Sequence, residues 1–212
     1  MKVTVLGAGK FGACVIERVE KYLGEKENIR MIICDVDKDE LYINHLEDKL
    51  LDGNGIAERV YIPNKITRGL GTSANWENGV AIFENEQETI KSMLGDMNET
   101  IILACAGIGA GFGSSFVAKL SEENNKVRSY LLYPAPFESD KRRNNAKKSL
   151  EKIQMAGAEY KLWDVEGKFE YFKQNNLLSS KAVFGWCAEQ IAQEILRDLE
   201  TIQNSMELVK EE

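Results

Sequence analysis

The chain has 212 residues, length for one large domain or two small ones, and its 43% hydrophobic and 29% charged residues match an ordinary globular protein. Its 34 acidic and 27 basic side chains leave a net charge of −7, which argues against a general binder of nucleic acid or of anionic membrane. No apolar run approaches the roughly 20 residues of a membrane span, and the first residues read directly as a strand, so the expectation is a cytoplasmic protein with no direct membrane insertion.

In chain order, an apolar strand at 3–7 leads into a helix at 12–22 with Val15, Ile16 and Val19 on one face. A second strand at 29–35 precedes an expected helix at 40–51 and a turn at 52–55. A short extended piece at 60–63 and a glycine loop at 65–75 come next. One long helix is expected at 76–94, with Val80, Ile82, Phe83, Ile90 and Met93 buried. Then follow a strand at 100–105, a helix at 112–123, a strand at 127–133, a helix at 140–156 and a strand at 160–165. A short helix at 169–174, a long helix at 180–206 and a charged tail at 207–212 end the chain. Strands alternating with helices define an α/β fold, a doubly wound and mostly parallel sheet with helices on both faces and the first strand central. The expected organisation is a single domain, 1–206.

Such a sheet binds ligands at the carboxyl ends of its strands. Three glycine loops fall there. The first, Gly7-Ala8-Gly9-Lys10-Phe11-Gly12, is a G-x-G-x-x-G, with Asp35 at the end of the next strand where a ribose-binding acid would stand. Taken alone it equally fits close strand–helix packing or a dinucleotide site. The second runs Thr67-Arg68-Gly69-Leu70-Gly71-Thr72-Ser73-Ala74-Asn75. The third, Gly107-Ile108-Gly109-Ala110-Gly111-Phe112-Gly113, has four glycines in seven positions between an apolar strand and an amphipathic helix. Free N–H groups and the helix dipole favour an anion there, and missing Cβ atoms let it approach. Three such loops at one edge point to a ligand with several phosphates.

The other motifs read plainly. Cys14, Cys34, Cys105 and Cys187 lack metal-ligand spacing and fit buried thiols of a reducing compartment. A single histidine, His45, argues against a nucleophile–histidine triad, and it reads as a surface residue. The basic run Lys141, Arg142, Arg143, Lys147, Lys148 and Lys152 reads as a solvated helix face. Trp76 and Trp163 read as core.

On these loops the chain resembles the nucleotide-binding domain of the tubulin/FtsZ superfamily, in order from about residue 1 to about residue 200. The stretch 66–75 is similar to the FtsZ loop that wraps the γ-phosphate, and 109–115 stands at the GGGTG[ST]G signature. Residues 7–14 match the first phosphate loop, and Asp35-Val36-Asp37 the Asn-Thr-Asp turn. Glu138 and Arg142 resemble the ribose-contacting Glu-x3-Arg pair, and Phe184 falls where an aromatic stacks on guanine.

The departures are as specific. Phe112 replaces the signature threonine, Ala110 a glycine, and Ser115, after Ser114, the last glycine. Lys10 and Phe11 replace glycines of the first loop, and Cys14 its asparagine; the two phenylalanines are candidates to fill the pocket and Lys10 to offset phosphate charge. Ala188 aligns with the aspartate that reads guanine, and Asp164 with the purine-reading asparagine. The resemblance implies GTP or GDP as ligand, with Mg accompanying GTP, and as partner another copy or another FtsZ/tubulin family subunit. It implies a cytoskeletal or regulatory assembly subunit, not a self-sufficient GTPase, since the family's acidic loop and second domain are not expected in this chain. A scaffold whose pocket no longer binds nucleotide, and a dinucleotide-binding oxidoreductase, are the alternatives.

Overall fold

The computed structural model describes residues 2–45, 49–50, 55–176 and 179–208. Six strands, β1 (Lys2–Ala8), β2 (Ile29–Asp35), β5 (Glu58–Tyr61), β6 (Thr100–Gly107), β7 (Arg128–Leu132) and β8 (Tyr160–Trp163), form one sheet in the order β5-β2-β1-β6-β7-β8. Every pairing in it is parallel, and β1 lies inside between β2 and β6. The expected doubly wound sheet is therefore observed.

The two-residue period of the strands distributes their side chains between two cores. Leu103 and Cys105 of β6 face one side, with Val15, Ile16 and Val19 of α1 (Gly9–Leu23) and Cys187, Ile191 and Ile195 of α8 (Ser180–Leu208). Ile102, Ala104 and Ala106 face the other, with Ile82 and Phe83 of α3 (Trp76–Asn85), Ile90 and Met93 of α4 (Gln87–Leu94), Phe116 and Leu120 of α5 (Phe112–Glu123), and Ile153 of α6 (Asp140–Met155). A strand buried on both faces reads as a continuous apolar run, as 101–106 does.

Several boundaries differ from expectation, among them α1, which starts at Gly9 and not at 12. The helix expected at 40–51 is only α2 (Lys38–Leu41), followed by a two-stranded antiparallel ladder of β3 (Ile43–Asn44) and β4 (Lys49–Leu50). The cause is Arg59 on β5, whose guanidinium donates to the carbonyls of Leu41 at 2.8 Å and Ile43 at 3.4 Å, the acceptors a continuing helix would need. The expected turn at 52–55 falls, except for Gly55, outside the described residues. The helix expected at 76–94 is two helices meeting at Glu86. At the chain's end, α8 continues through Leu208, and the remaining tail lies outside the described residues. A short helix, α7 (Phe169–Gln174), packs Phe172 against Trp186 of α8, ring centroids 5.2 Å apart.

Candidate functional site at the carboxyl edge of the sheet

Strands β1, β2 and β6 deliver their three loops to one place. Helix α1 begins at Gly9 and α5 at Phe112, and neither N-terminus has a side-chain cap. Helices α2, α3 and α6 are capped by Asp37, Asn75 and Ser139; α4 and α7 also lack a side-chain cap, but only α1 and α5 begin at the glycine loops of this edge. Uncapped first turns leave N–H groups directed out of the helix at its positive end, the arrangement that accepts a phosphate. The two loops touch: a Cβ on Gly9, which has φ +73°, would lie 3.6 Å from Gly113 Cα and 4.0 Å from Asp35 Oδ2. Close approach also explains Gly12, where a Cβ would fall 2.6 Å from the backbone of Gly7 and 2.8 Å from the carbonyl of Cys105. A side chain at Gly12 would push α1 off the sheet, whereas at Gly9 the constraint is the left-handed backbone and not the space.

Asp35 accepts the backbone N–H groups of Val36 at 2.7 Å and Asp37 at 3.0 Å. Those bonds favour its ionised form, but burial outweighs them and pushes its pKa up to about 6. Asp37 caps α2 by accepting from Asp39 and Glu40. The second loop is fastened to this turn, through Lys38 N–H on the Gly69 carbonyl at 3.2 Å and a bridge between Asp37 and Leu70. Within 67–75 the backbone is left-handed at Arg68, Gly69, Gly71, Ser73 and Ala74. Three of these carry side chains, a concentration of strain of the kind found at ligand-holding loops.

The second and third loops interlock. A Cβ on Gly111 would meet Thr72 and the backbone of Asn75, its N at 2.7 Å and O at 2.6 Å. Gly111 is thus a packing glycine, and its side-chain direction leads into the neighbouring loop, not toward a phosphate. From α6, the buried Asn145 Nδ2 donates to the carbonyls of Ala74 at 3.1 Å, Gly109 at 3.2 Å and Ala110 at 3.4 Å. One helical turn on, Ser149 donates to the Ser114 carbonyl and accepts from Trp76 Nε1, both at 3.0 Å. Neither residue was expected at the site. They sit in a run rich in lysine and arginine, and only their fully buried spacing of four on α6 marks them.

On the other flank, Glu138 accepts the Ala135 N–H at 2.8 Å and pairs with Arg142 at 2.9 Å. Gly109 packs beneath Pro134 and Arg142, which joins this pair to the third loop. Phe137 is exposed, and its ring lies 6.3 Å from Phe184 at the start of α8. Asp140, which reads in the sequence as the cap of α6, stands in its first turn and pairs with Arg143, and the cap is Ser139.

Several expected residues stand elsewhere. Phe112 does not fill the pocket: it is buried in the core against Phe116, ring centroids 5.2 Å apart. Phe11 lies against Gly107, whose Cβ would be 3.2 Å from that of Phe11, and packs on the α1–α8 core. Lys10 turns to α2 and holds Glu40, with Nζ 3.0 Å from each carboxylate oxygen. Cys14 is half-buried, its thiol pushed up to about 11 by burial and by Glu17, and its carbonyl accepts from Arg18. Ala188 is fully buried on α8, and Asp164 is exposed beyond β8, accepting the Glu166 N–H. His45 is not a surface residue: its side chain is 5% exposed. Trp76, Trp163 and Trp186 are half-buried. All four cysteines are free thiols, as expected, and three of them are buried.

A concavity of about 1330 Å³ opens at the opposite edge between Lys2, Asn28, Arg30, Glu99 and Lys126. Its charges are mixed and no glycine loop or uncapped helix faces it, so size alone does not identify the site. No group of three His, Cys, Asp or Glu among the described residues could hold a metal ion, and no described helix is long and apolar enough to cross a membrane.

A six-stranded parallel sheet with helices on both faces defines a doubly wound α/β domain, and the glycine loops and the carboxylate–arginine pair at its carboxyl edge mark the candidate ligand site. Comparison with known proteins gives the family. The model of the Tubulin/FtsZ family GTPase domain matches residues 2–158, so the chain belongs to that family. It is 26% identical over 196 residues to the cell division protein FtsZ of Aquifex aeolicus, covering 87% of this chain and 50% of that protein. Among solved structures, an FtsZ of M. jannaschii superposes with a TM-score of 0.73 at 22% identity, over 92% of this chain and 55% of that one. CetZ2 of Haloferax volcanii, solved as a GTPγS-bound protofilament, gives 0.66 at 21% identity over 92% and 57%. The chain thus spans half the length of the Aquifex relative, and the structural likenesses, at such identities, establish the fold.

Proposed function

We propose that this chain binds a guanine nucleotide, GDP or GTP, at the carboxyl edge of its sheet and acts as an assembly or regulatory subunit of an FtsZ/tubulin-type system. The convergence of the uncapped α1 and α5 N-termini at Gly9 and Gly113 carries this reading. The amides of both first turns fit a chain of phosphates, and the Glu138–Arg142 pair stands beside them for a ribose. Magnesium, where GTP binds, would rest on phosphate oxygens, since the described residues offer no acidic cluster for it. The partner is another copy or another family subunit, a reading supported by relatives solved as dimers and protofilaments.

The test is direct. Nucleotide extracted from the purified protein and separated by chromatography is expected to be GDP or GTP. NAD would indicate a dinucleotide site, and an empty pocket that also fails to take up added GDP would leave a scaffold. The burial of Phe112 and Ala188, and the engagement of Lys10 by Glu40, are the observations that favour that second reading. Arg142→Met sharpens the placement. Its pair with Glu138 is exposed on the Arg side, so stability should barely move, while GDP affinity should fall roughly tenfold.

A further inference from the structure

Lys10 is the one cation at the first turn of α1, and its position is set by residues outside the loops. Its ammonium lies 3.0 Å from both oxygens of Glu40, the last but one residue of α2. Behind that carboxylate stands His45, with Nε2 3.7 Å from Glu40 Oε2. Both of those facing atoms are buried, and neither makes a directed hydrogen bond. Two potential partners of one carboxylate therefore flank it, one on the site side and one in the interior. Beneath them, Glu17 of α1 and Arg59 of β5 form a buried pair at 2.9 Å, with side-chain exposures of 3% and 9%.

We propose that Glu40 and His45 are positioning residues for Lys10, and that protonation of His45 transfers Glu40 from Lys10 to the imidazolium and frees Lys10 for a phosphate of the bound ligand. The inference rests on the reading of this edge as a phosphate site, and it adds proton-linked control of that site.

The physical sequence is short. Neutral His45 gives its Nε2 no charge with which to hold Glu40, so the carboxylate belongs to Lys10. An added proton makes Nε2 a charged donor facing Oε2 across 3.7 Å in a buried setting, where such a pair is stronger than one in water. Lys10, with a side chain 63% exposed, loses a partner whose charge is now shared, and its flexible stem can turn to a phosphate. Around His45 the charges divide. Burial, the largest influence, and Lys10 oppose the imidazolium, while Glu17, the Glu40 carboxylate and a hydrogen bond with the Glu40 backbone favour it, and the net direction is a pKa below the usual histidine value. The switch thus operates on the acid side of neutrality, and ligand binding should be tighter with His45 protonated.

The exchange is measured first without ligand. NMR titration of the single imidazole in the full chain should give a lower pKa in Glu40→Gln than in the wild type. Lys10→Met should raise that pKa, and by more in the wild-type background than in Glu40→Gln, because Lys10 and His45 compete for the same carboxylate. Equal shifts in both backgrounds, or a pKa indifferent to Glu40→Gln, would overturn the exchange whatever binds at the edge. The second arm compares GDP and inorganic phosphate binding at pH 6 and pH 8 by calorimetry, in the wild type and in His45→Gln. Protonation of the ligand is common to both proteins, so the ratio of their pH dependences isolates His45. It is expected to favour the wild type at pH 6 by about two- to fivefold, the range of a part-exposed ion pair. Binding with identical pH dependence in the two proteins would overturn the coupling. Absence of GDP and phosphate binding at both pH values would overturn the nucleotide reading and the coupling together, while the imidazole titration still decides the Glu40 exchange.

Discussion

The two helix N-termini of the site are held in opposite ways. The α5 loop is stitched by buried, neutral hydrogen bonds from Asn145 and Ser149 and by glycine packing against Thr72 and Asn75. The α1 loop carries a charged residue, Lys10, tied to Glu40 by a part-exposed ion pair with His45 behind it. Buried neutral bonds are costly to break and indifferent to salt and pH, whereas a part-exposed pair is weak and sensitive to both. One half of the site is thus a fixed cradle and the other an adjustable one.

The strongest way to break the fixed half is Gly111→Val. Its branched side chain would be driven into Thr72 and Asn75, separating the second loop from the third. Backbone atoms stand in the way, so repacking cannot absorb the change, and a loss of about 4 kcal/mol or more is expected. Chemical denaturation should show it with no ligand present. A variant of wild-type stability that had merely lost nucleotide would mean that Gly111 faces the phosphates after all.

Asn145→Ala comes next. It leaves the carbonyls of Ala74, Gly109 and Ala110 without their shared donor in a buried setting, at a cost of about 2–3 kcal/mol. Hydrogen exchange should quicken in 72–75 and 107–111 together, because one side chain serves both. Exchange confined to one loop would show that they are not coupled through Asn145.

Asp35, between the two halves, gives a smaller effect with a definite sign. Its folded pKa of about 6 lies above the ordinary carboxylate value, about 3.9. The folded state therefore binds the proton more tightly than the unfolded one. Its contribution to stability is full below about pH 4 and is lost as pH rises through 6, a change of about 3 kcal/mol in all. Asp35→Asn removes that slope, and denaturation at pH 4.5 and 7 in both proteins measures it. Equal pH dependence in the two would show that the backbone bonds from Val36 and Asp37, not burial, dominate.

Much of this was legible in the sequence. The apolar runs of β1, β2 and β6 and the glycine spacing identified the sheet and the edge, because both follow from local pattern. The fixed cradle was not legible in its cause. Asn145 and Ser149 are polar residues in a basic helix, and their role exists only where α6 meets two loops more than thirty residues away in the chain. The same holds for Arg59, which ends α2 from another strand, and for Phe112, whose neighbour Phe116 one turn on draws it into the core. At 139–140 two residues of cap-forming type stand side by side, and the sequence pattern favoured Asp140 where the structure uses Ser139.

The smallest expected effect concerns turnover. Hydrolysis of GTP needs a group that orients or deprotonates water in line with the γ-phosphate, worth about 10²–10⁴-fold when it is a placed general base. Cradling the triphosphate in the ground state and in the transition state alike gives no acceleration. The carboxylates near the edge are already committed. Asp35 accepts two backbone N–H groups, Asp37 caps α2, Glu138 holds Arg142 and the Ala135 N–H, and Asp140 pairs with Arg143 on the outer surface of α6. Thr72 and Asn75 face Gly111, and Asn75 spends its side-chain oxygen on the cap of α3. Among the described residues, neither half of the site presents an uncommitted carboxylate to a water. The purified 212-residue chain is therefore expected to release phosphate from GTP at close to the background rate, even at high protein concentration. A second family member added in trans is expected to supply such a group, and release that appears only in the mixture would locate it on the partner. Release by the pure chain that grows faster than its concentration and disappears in Arg142→Met would show instead that two copies complete a site between them.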